Sequence, residues 1–242
     1  MDVAARHLML AAAPTFQGRP LNAVLFDLDG TLLDTAGDIA LALRRALADQ
    51  QLPAPDDAAV RGMIGRGAPM LVARALAALG LTLDAAAQSA IVEGFFTHYG
   101  ALQDQDECAA LPYPGVLQGL QRLSQAGLPM AVVTNKQQRF AQGLLARLGL
   151  ARHFGFIVGG DTCARRKPDP QPLLWACTHL GVPAAKTLMV GDSINDVLAA
   201  RAAGMPVVCV PYGYNEGGDA GSLPCDAFIE SIDELPALIG LS

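Results

Sequence analysis

The stretch VLFDLDGTLLDT, residues 24–35, decides how the rest of the chain is read. An apolar run, Val24-Leu25-Phe26, ends abruptly in Asp27-Leu28-Asp29. Gly30, Thr31, two leucines and a third acid, Asp34, follow. Asp and Gly are poor strand residues, so a strand stops here. Two carboxylates one residue apart repel each other. The stretch alone reads either as an acidic turn, since Asp-Gly is turn chemistry, or as a place where something positive and reactive belongs.

Outward from it, further apolar runs without alternation occupy 128–135, 154–161, 187–193 and 206–213, with a weaker one at 226–231. Short continuous apolar runs suit strands buried on both faces, as in a parallel sheet. Amphipathic stretches at 115–126, 137–148, 171–181 and 195–203 lie between them, each ending near a glycine: Gly127, Gly149, Gly181 and Gly204. Glycine accommodates the left-handed conformation that ends many helices. The pattern predicts an α/β fold, Rossmann-like, with a mainly parallel sheet. Between the first and second strands the rhythm breaks. Segments near 37–50, 56–63, 67–79 and 85–102 are helical, so a helical unit is inserted there. It leaves the sheet at its C-terminal edge, where open α/β sheets bind ligands, and a mobile cover over a site is the natural consequence. The expected division is a tail over 1–20, a core over 21–35 and 112–242, and a helical cap over 36–111.

Composition narrows the function. The chain has 242 residues, 52% hydrophobic and 17% charged, with 5% aromatic, so its core is mainly aliphatic. A net charge of −6 gives no basic footprint for nucleic acid. Five cysteines without a C-x-x-C pair argue against a disulfide framework or zinc knuckle and point to a reducing cytoplasm. The first residues, MDVAARHLMLAAAPTF, carry a short apolar run faintly like an export signal, but Asp2 and His7 precede it; a tail is the expectation. No segment approaches a membrane span.

Four predicted strands end in polar groups: Asp27 and Asp29; Thr134-Asn135-Lys136; the RRKPDP segment with Lys167; and GDSINDV with Asp192 and Asp196. In a parallel sheet these ends share one edge. Several carboxylates together require a cation. Oxygen ligands without His or Cys select a hard ion such as Mg²⁺. One acid of the pair can then act as nucleophile and the other as general acid/base. Phosphoryl transfer needs donors and positive charge around the phosphate oxygens. Thr134, the backbone N–H groups of 28–30 and 135, and Lys167 supply them, and Gly30 permits close approach of the backbone.

These four segments, DLDGT, VVTN, the KPDP lysine and GDSINDV, resemble in order the motifs of the haloacid dehalogenase superfamily, from Asn22 nearly to the C-terminus. The resemblance implies a Rossmann-like core with an α-helical cap. It implies Asp27 as nucleophile and Asp29 as general acid/base. Thr134 and Asn135 would bind the phosphoryl group, with Lys167 orienting and neutralising it. Mg²⁺ would be held by Asp27, Asp192 and the Asp29 backbone carbonyl, with Asp196 in the outer shell. Asp29 also implies phosphoryl rather than halide chemistry. Within the superfamily, VGGDTCARRKPDPQPLL, VGDSINDVLAARAAGMP and the PYGYNEG stretch are similar to bacterial phosphoglycolate phosphatases, which implies 2-phosphoglycolate as substrate. N-acetylmuramic acid 6-phosphate phosphatases share much of this but depart at Gly213–Gly217. A non-catalytic phosphoryl-responsive protein on the same fold is the alternative of another class.

The remaining candidates are weaker signals. Arg66, between two glycines in MIGRGAPML, is placed to meet a substrate carboxylate bidentately. Arg165 and Arg166 read as surface charges, His98 as a helix residue, Trp175 as packing, and Ser193 and Asn195 as caps or turn supports. The expected partner is a small phosphorylated metabolite, with no nucleic acid or membrane, and the chain a monomer or homodimer.

Overall fold

The computed structural model describes residues 13–105 and 107–241. A short antiparallel hairpin, β1 (Thr15–Phe16) with β2 (Arg19–Pro20), precedes the first core strand, β3 (Ala23–Phe26). Next come β4 (Leu33–Asp34), the helices α1 (Ala36–Asp49), α2 (Asp57–Arg61), α3 (Ala68–Ala78) and α4 (Ala85–Asp104), and β5 (Leu111–Pro112). The remainder alternates: α5 (Val116–Gln125), β6 (Met130–Val133), α6 (Gln138–Arg147), β7 (Ile157–Val158), α7 (Gln171–Leu180), β8 (Thr187–Gly191), α8 (Ile194–Ala202), β9 (Val207–Cys209), β10 (Ala227–Phe228) and α9 (Leu235–Leu238). Among the described residues no helix is long and apolar enough to cross a membrane.

Six strands form one parallel sheet in the order β10-β9-β8-β3-β6-β7. The unalternating apolar runs have the expected cause: both faces are covered. Val24, Phe26, Val132 and Val190 pack with Leu120, Leu123 and Leu144 of α5 and α6. Leu25, Ala131, Val133 and Met189 pack on the other face with Leu173, Ala176, Val197 and Ala200 of α7 and α8. Each such aliphatic side chain contributes about 1.5–3 kcal/mol by leaving water. The order matters for function because β3 lies between β8 and β6, with Phe26 level with both Val190 and Val132. The residues after these strands therefore emerge side by side.

The expected tail over 1–20 departs from what is found from Thr15 onward. Phe16 is buried, and the hairpin is fastened to the far end of the chain by Thr15 N–H donating to the Ile239 carbonyl at 2.9 Å. Residues 1–12 lie outside the described residues.

The four helices between the first two core strands enter and leave through one antiparallel pair, Leu33 with Pro112 and Asp34 with Leu111. Asp56 caps α2 and Asp84 caps α4 by accepting from Ala59 N and Ala87 N, at 2.7 and 2.8 Å. Buried Asp38, in the first turn of α1, accepts from Ala109 N at 2.8 Å and Ala110 N at 3.0 Å, so the helical unit's exit is pinned to its entrance.

The α5 helix approaches the turn at Ile232–Glu234 so closely that Gly119 has no room for a side chain: a Cβ there would sit 2.4 Å from the Ile232 carbonyl oxygen. Helix propensity favours alanine by about 1 kcal/mol, but overpacking costs about 1–3 kcal/mol. Gly119→Ala is therefore expected to lower the denaturant midpoint. A raised midpoint would show that the turn gives way freely.

Candidate active site

Asp27 is the first residue beyond β3, and its N–H still donates to the Val190 carbonyl at 2.9 Å. That bond fixes the backbone, so the carboxylate is aimed by the sheet. Its Oδ1 accepts from Leu28 N at 2.7 Å and from Lys167 Nζ at 2.9 Å. Burial pushes the Asp27 carboxyl up to about 8, with Asp196 and Asp192 adding to the shift and Lys167 opposing it. Asp192, just past β8, is pushed up to about 7 by burial and then by Asp196. It nevertheless accepts from Thr31 Oγ1 at 2.9 Å and Tyr214 N at 2.7 Å.

Asp196 differs from these two. It is fully buried in the first turn of α8. Its Oδ2 accepts from Ser193 N at 3.1 Å and Ser193 Oγ at 2.8 Å, closing a capping box, and its Oδ1 from Lys167 Nζ at 2.6 Å. Lys167 thus bridges Asp27 and Asp196. Burial alone would depress its ammonium, but Asp196 and Asp27 hold it above its ordinary value.

The carboxylate oxygens of Asp27, Asp192 and Asp196 lie within 4.8 Å of one another. This donor set could hold a metal: it is all oxygen, with no His or Cys, and the raised Asp27 and Asp192 show a cluster short of positive charge. Asp196 already serves Ser193 and Lys167, Asp192 serves Thr31 and Tyr214, and Asp27 serves Leu28 and Lys167. Gly30 owes its identity to this cluster: it has φ +86°, and a Cβ there would lie 2.5 Å from Asp192 Oδ2. The expectation placed a phosphate against Gly30; the described neighbour that a Cβ there would meet is Asp192.

Asp29 is held apart from this group. Thr35 Oγ1 donates to its Oδ1 at 2.7 Å, and Lys136 Nζ reaches both its oxygens at 3.0 and 3.3 Å. The Thr35 hydroxyl sits at the N-cap of α1 but caps nothing. Forgoing such a cap typically costs about 1 kcal/mol. Thr35 N–H is served instead by the Tyr214 hydroxyl at 2.7 Å, which itself donates to Asp34 at 2.8 Å.

Thr134 and Asn135 follow β6, both buried. Thr134 Oγ1 accepts from Lys136 N at 3.2 Å. Asn135 Nδ2 donates to the Lys167 carbonyl at 2.9 Å and to the Gly65 carbonyl at 2.8 Å, so one side chain joins the core to the inserted helices. Its Oδ1 is buried without a partner among the described residues. Above these residues lies a cavity of about 60 Å³. Asp27, Asp29, Thr134, Asn135, Lys136 and Arg166 form its polar side, and Ile64, Leu71, Phe95 and Tyr99 of the inserted helices face them.

The core residues expected from the sequence thus converge, whereas Arg66 lies outside the cavity lining. Its Nε pairs with Glu216 Oε1 at 3.0 Å, beside Arg74 at 3.1 Å and Asn195 at 3.1 Å. Despite burial, Arg74 and Asn195 hold the Glu216 carboxyl below its ordinary value. Arg166, expected on the surface, is half-buried, lines the cavity and donates to the Gly160 carbonyl, while Arg165 is exposed as expected. Ser193 and Asn195 support turns as expected. His98 is an α4 residue facing Asp49 at 2.7 Å, and Trp175 stacks on His179. Sequence reasoning missed Lys136 and Tyr214. Lys136 stood beside the Thr-Asn pair, and Tyr214 lay inside the Gly213–Gly217 stretch, but neither position named a partner.

Residues 24–210 match the model of the haloacid dehalogenase-like hydrolase family. The plasmid-encoded phosphoglycolate phosphatase of Cupriavidus necator is 46% identical over 220 residues, covering 91% of this chain and 94% of that protein. The phosphoglycolate phosphatase of Thiobacillus denitrificans is 42% identical over 221 residues, covering 91% and 96%. A crystal structure described as a predicted phosphoglycolate phosphatase from Haemophilus somnus superposes with a TM-score of 0.83 at 31% identity, covering 90% of this chain and 97% of that one. The family match takes in the acid pair after β3, the insert and the acidic start of α8 alike, and the chain belongs to the haloacid dehalogenase-like hydrolases.

Proposed function

We propose that this protein is a Mg²⁺-dependent phosphatase that hydrolyses a small phosphate monoester through an aspartyl-phosphate, with 2-phosphoglycolate as its substrate. The observation that carries the reading is the division of the acid pair. Asp27 faces Lys167 within the carboxylate cluster, while Asp29, two residues on, is held by Thr35 and Lys136. One acid is placed against a cation-binding group and the other is set aside for proton transfer.

In this reading an Asp27 carboxylate oxygen attacks phosphorus as the bond to the leaving oxygen breaks. Asp29 gives its proton to that oxygen, releasing the alcohol. Asp29 then takes a proton from water as the water attacks the phosphoryl group, which restores Asp27 and frees phosphate. Thr134 and the N–H groups beside it donate to the phosphoryl oxygens, and Lys167 offsets their charge. Mg²⁺ would be held by Asp27, Asp192 and the Asp29 carbonyl, with Asp196 behind them, and would supply charge neutralisation for phosphate and nucleophile together. The inserted helices act as a cap over 36–111 that excludes water.

The relatives named phosphoglycolate phosphatase support the substrate choice. Retention of both Asp29 and Lys167 speaks against a non-catalytic role. The cysteines, all free thiols, agree with a cytoplasmic location.

Asp29→Asn is expected to lower kcat by about 10²–10⁴-fold, and Asp27→Asn to abolish turnover, in phosphate-release assays with Mg²⁺. An Asp27→Asn enzyme as active as wild type would end this mechanism. Mg²⁺ at about 100 times its Kd is expected to stabilise the protein by about 2.7 kcal/mol, raising Tm by about 5–10 °C. Asp192→Asn should remove that shift in calorimetry, and an undiminished shift would place the ion elsewhere.

A further inference from the structure

Lys136 is a cation of this site that holds Asp29 but is given no contact with substrate in the mechanism above. Its side chain is 7% exposed. Its ammonium lies against Asp29 at 3.0 Å and over the Tyr99 ring of α4, 4.4 Å from the centroid. An ammonium has three donors. Here they meet one carboxylate, which Thr35 also serves, and an aromatic face, which accepts only weakly.

We propose that Lys136 reads the substrate: it binds a carboxylate borne on the carbon attached to the ester oxygen, and so sets the preference of the site for 2-phospho acids. This rests on the phosphatase reading above. To protonate the leaving oxygen, Asp29 must stand within about 2.6–3.2 Å of it. Lys136, itself 3.0 Å from Asp29, is then one contact further along the leaving group. A carboxylate on the adjacent carbon falls within reach of that ammonium, at the usual charge-assisted distance of about 2.7–2.9 Å. Much of the rest of the lining is apolar: Ile39, Ile64, Leu71, Phe95 and Phe140. A carboxylate enclosed among them without a counter-charge would bind poorly. The other nearby cations each have a partner of their own, Arg166 through its Nε alone. Lys167 bridges Asp27 and Asp196, Arg66 and Arg74 hold Glu216, and Arg166 donates to the Gly160 carbonyl.

The test compares 2-phosphoglycolate with ethyl phosphate, which keeps the two-carbon chain and lacks the carboxylate oxygens. Wild type is expected to favour 2-phosphoglycolate by about 30-fold or more in kcat/KM. Lys136→Met is expected to collapse that ratio towards unity, mainly through KM for 2-phosphoglycolate, and Lys136→Arg to restore part of it. Equal kcat/KM for the two substrates in wild type overturns the proposal without any variant. So does a ratio that Lys136→Met leaves intact, since a lysine that only positions Asp29 would depress both substrates alike. A wild type that hydrolyses neither substrate, with Mg²⁺ present, would instead overturn the phosphatase reading itself.

Discussion

The repulsion among half-buried Asp27 and buried Asp192 and Asp196, their oxygens within 4.8 Å of one another, is the constraint to which the surrounding elements answer. Lys167 is placed between Asp27 and Asp196, Ser193 is also spent on Asp196, and Thr31 and Tyr214 N–H are turned onto Asp192. These contacts make the cluster tolerable without discharging it, as the raised Asp27 and Asp192 show. A fold optimised only for stability would replace such a group with apolar side chains. Here the sheet order delivers the carboxylates to one place, and the residual negative charge leaves a cluster that could hold a cation.

Much of this was legible in the sequence because it depends on local order. Apolar runs without alternation fix a doubly covered parallel sheet, and the residue after each run must then lie on the common edge. That is why Asp27, Thr134 and Asp192 could be placed beforehand. What was not legible depends on pairs far apart in the chain. Arg66 and Arg166 are indistinguishable as isolated arginines; the acceptors that separate them are Glu216, 150 positions from Arg66 along the chain, and the Gly160 carbonyl. Lys136 likewise needed the knowledge that Asp29 and Tyr99 meet it from two different elements. The hairpin at Thr15 was missed because two strand residues with a single buried side chain, Phe16, give no periodic signal.

The loop at 212–216 joins the parts. Tyr214 N–H binds Asp192 in the carboxylate cluster, while its hydroxyl meets Asp34 and Thr35 where the helical unit begins. The next residue but one, Glu216, takes Arg66 and Arg74 from that unit. Asn215 and Glu216 both have positive φ, so the chain is folded tightly enough for neighbouring residues to face different partners. The state of the carboxylate cluster and the position of the helices above it are therefore mechanically linked through a few backbone bonds.

The paired crossing at Leu33–Pro112 and Asp34–Leu111 bears on how such proteins diversify. Because the helical unit departs and returns through residues bonded to each other, the catalytic core meets it as a fixed gap between two adjacent strands, whatever the intervening chain contains. The core's register is set by β3, β6 and β8, none of which runs through the insert. A replacement of different length, with the same end spacing, leaves that register untouched. The core and the helical unit are thus separately exchangeable parts, and the architecture lets one drift while the other is held still.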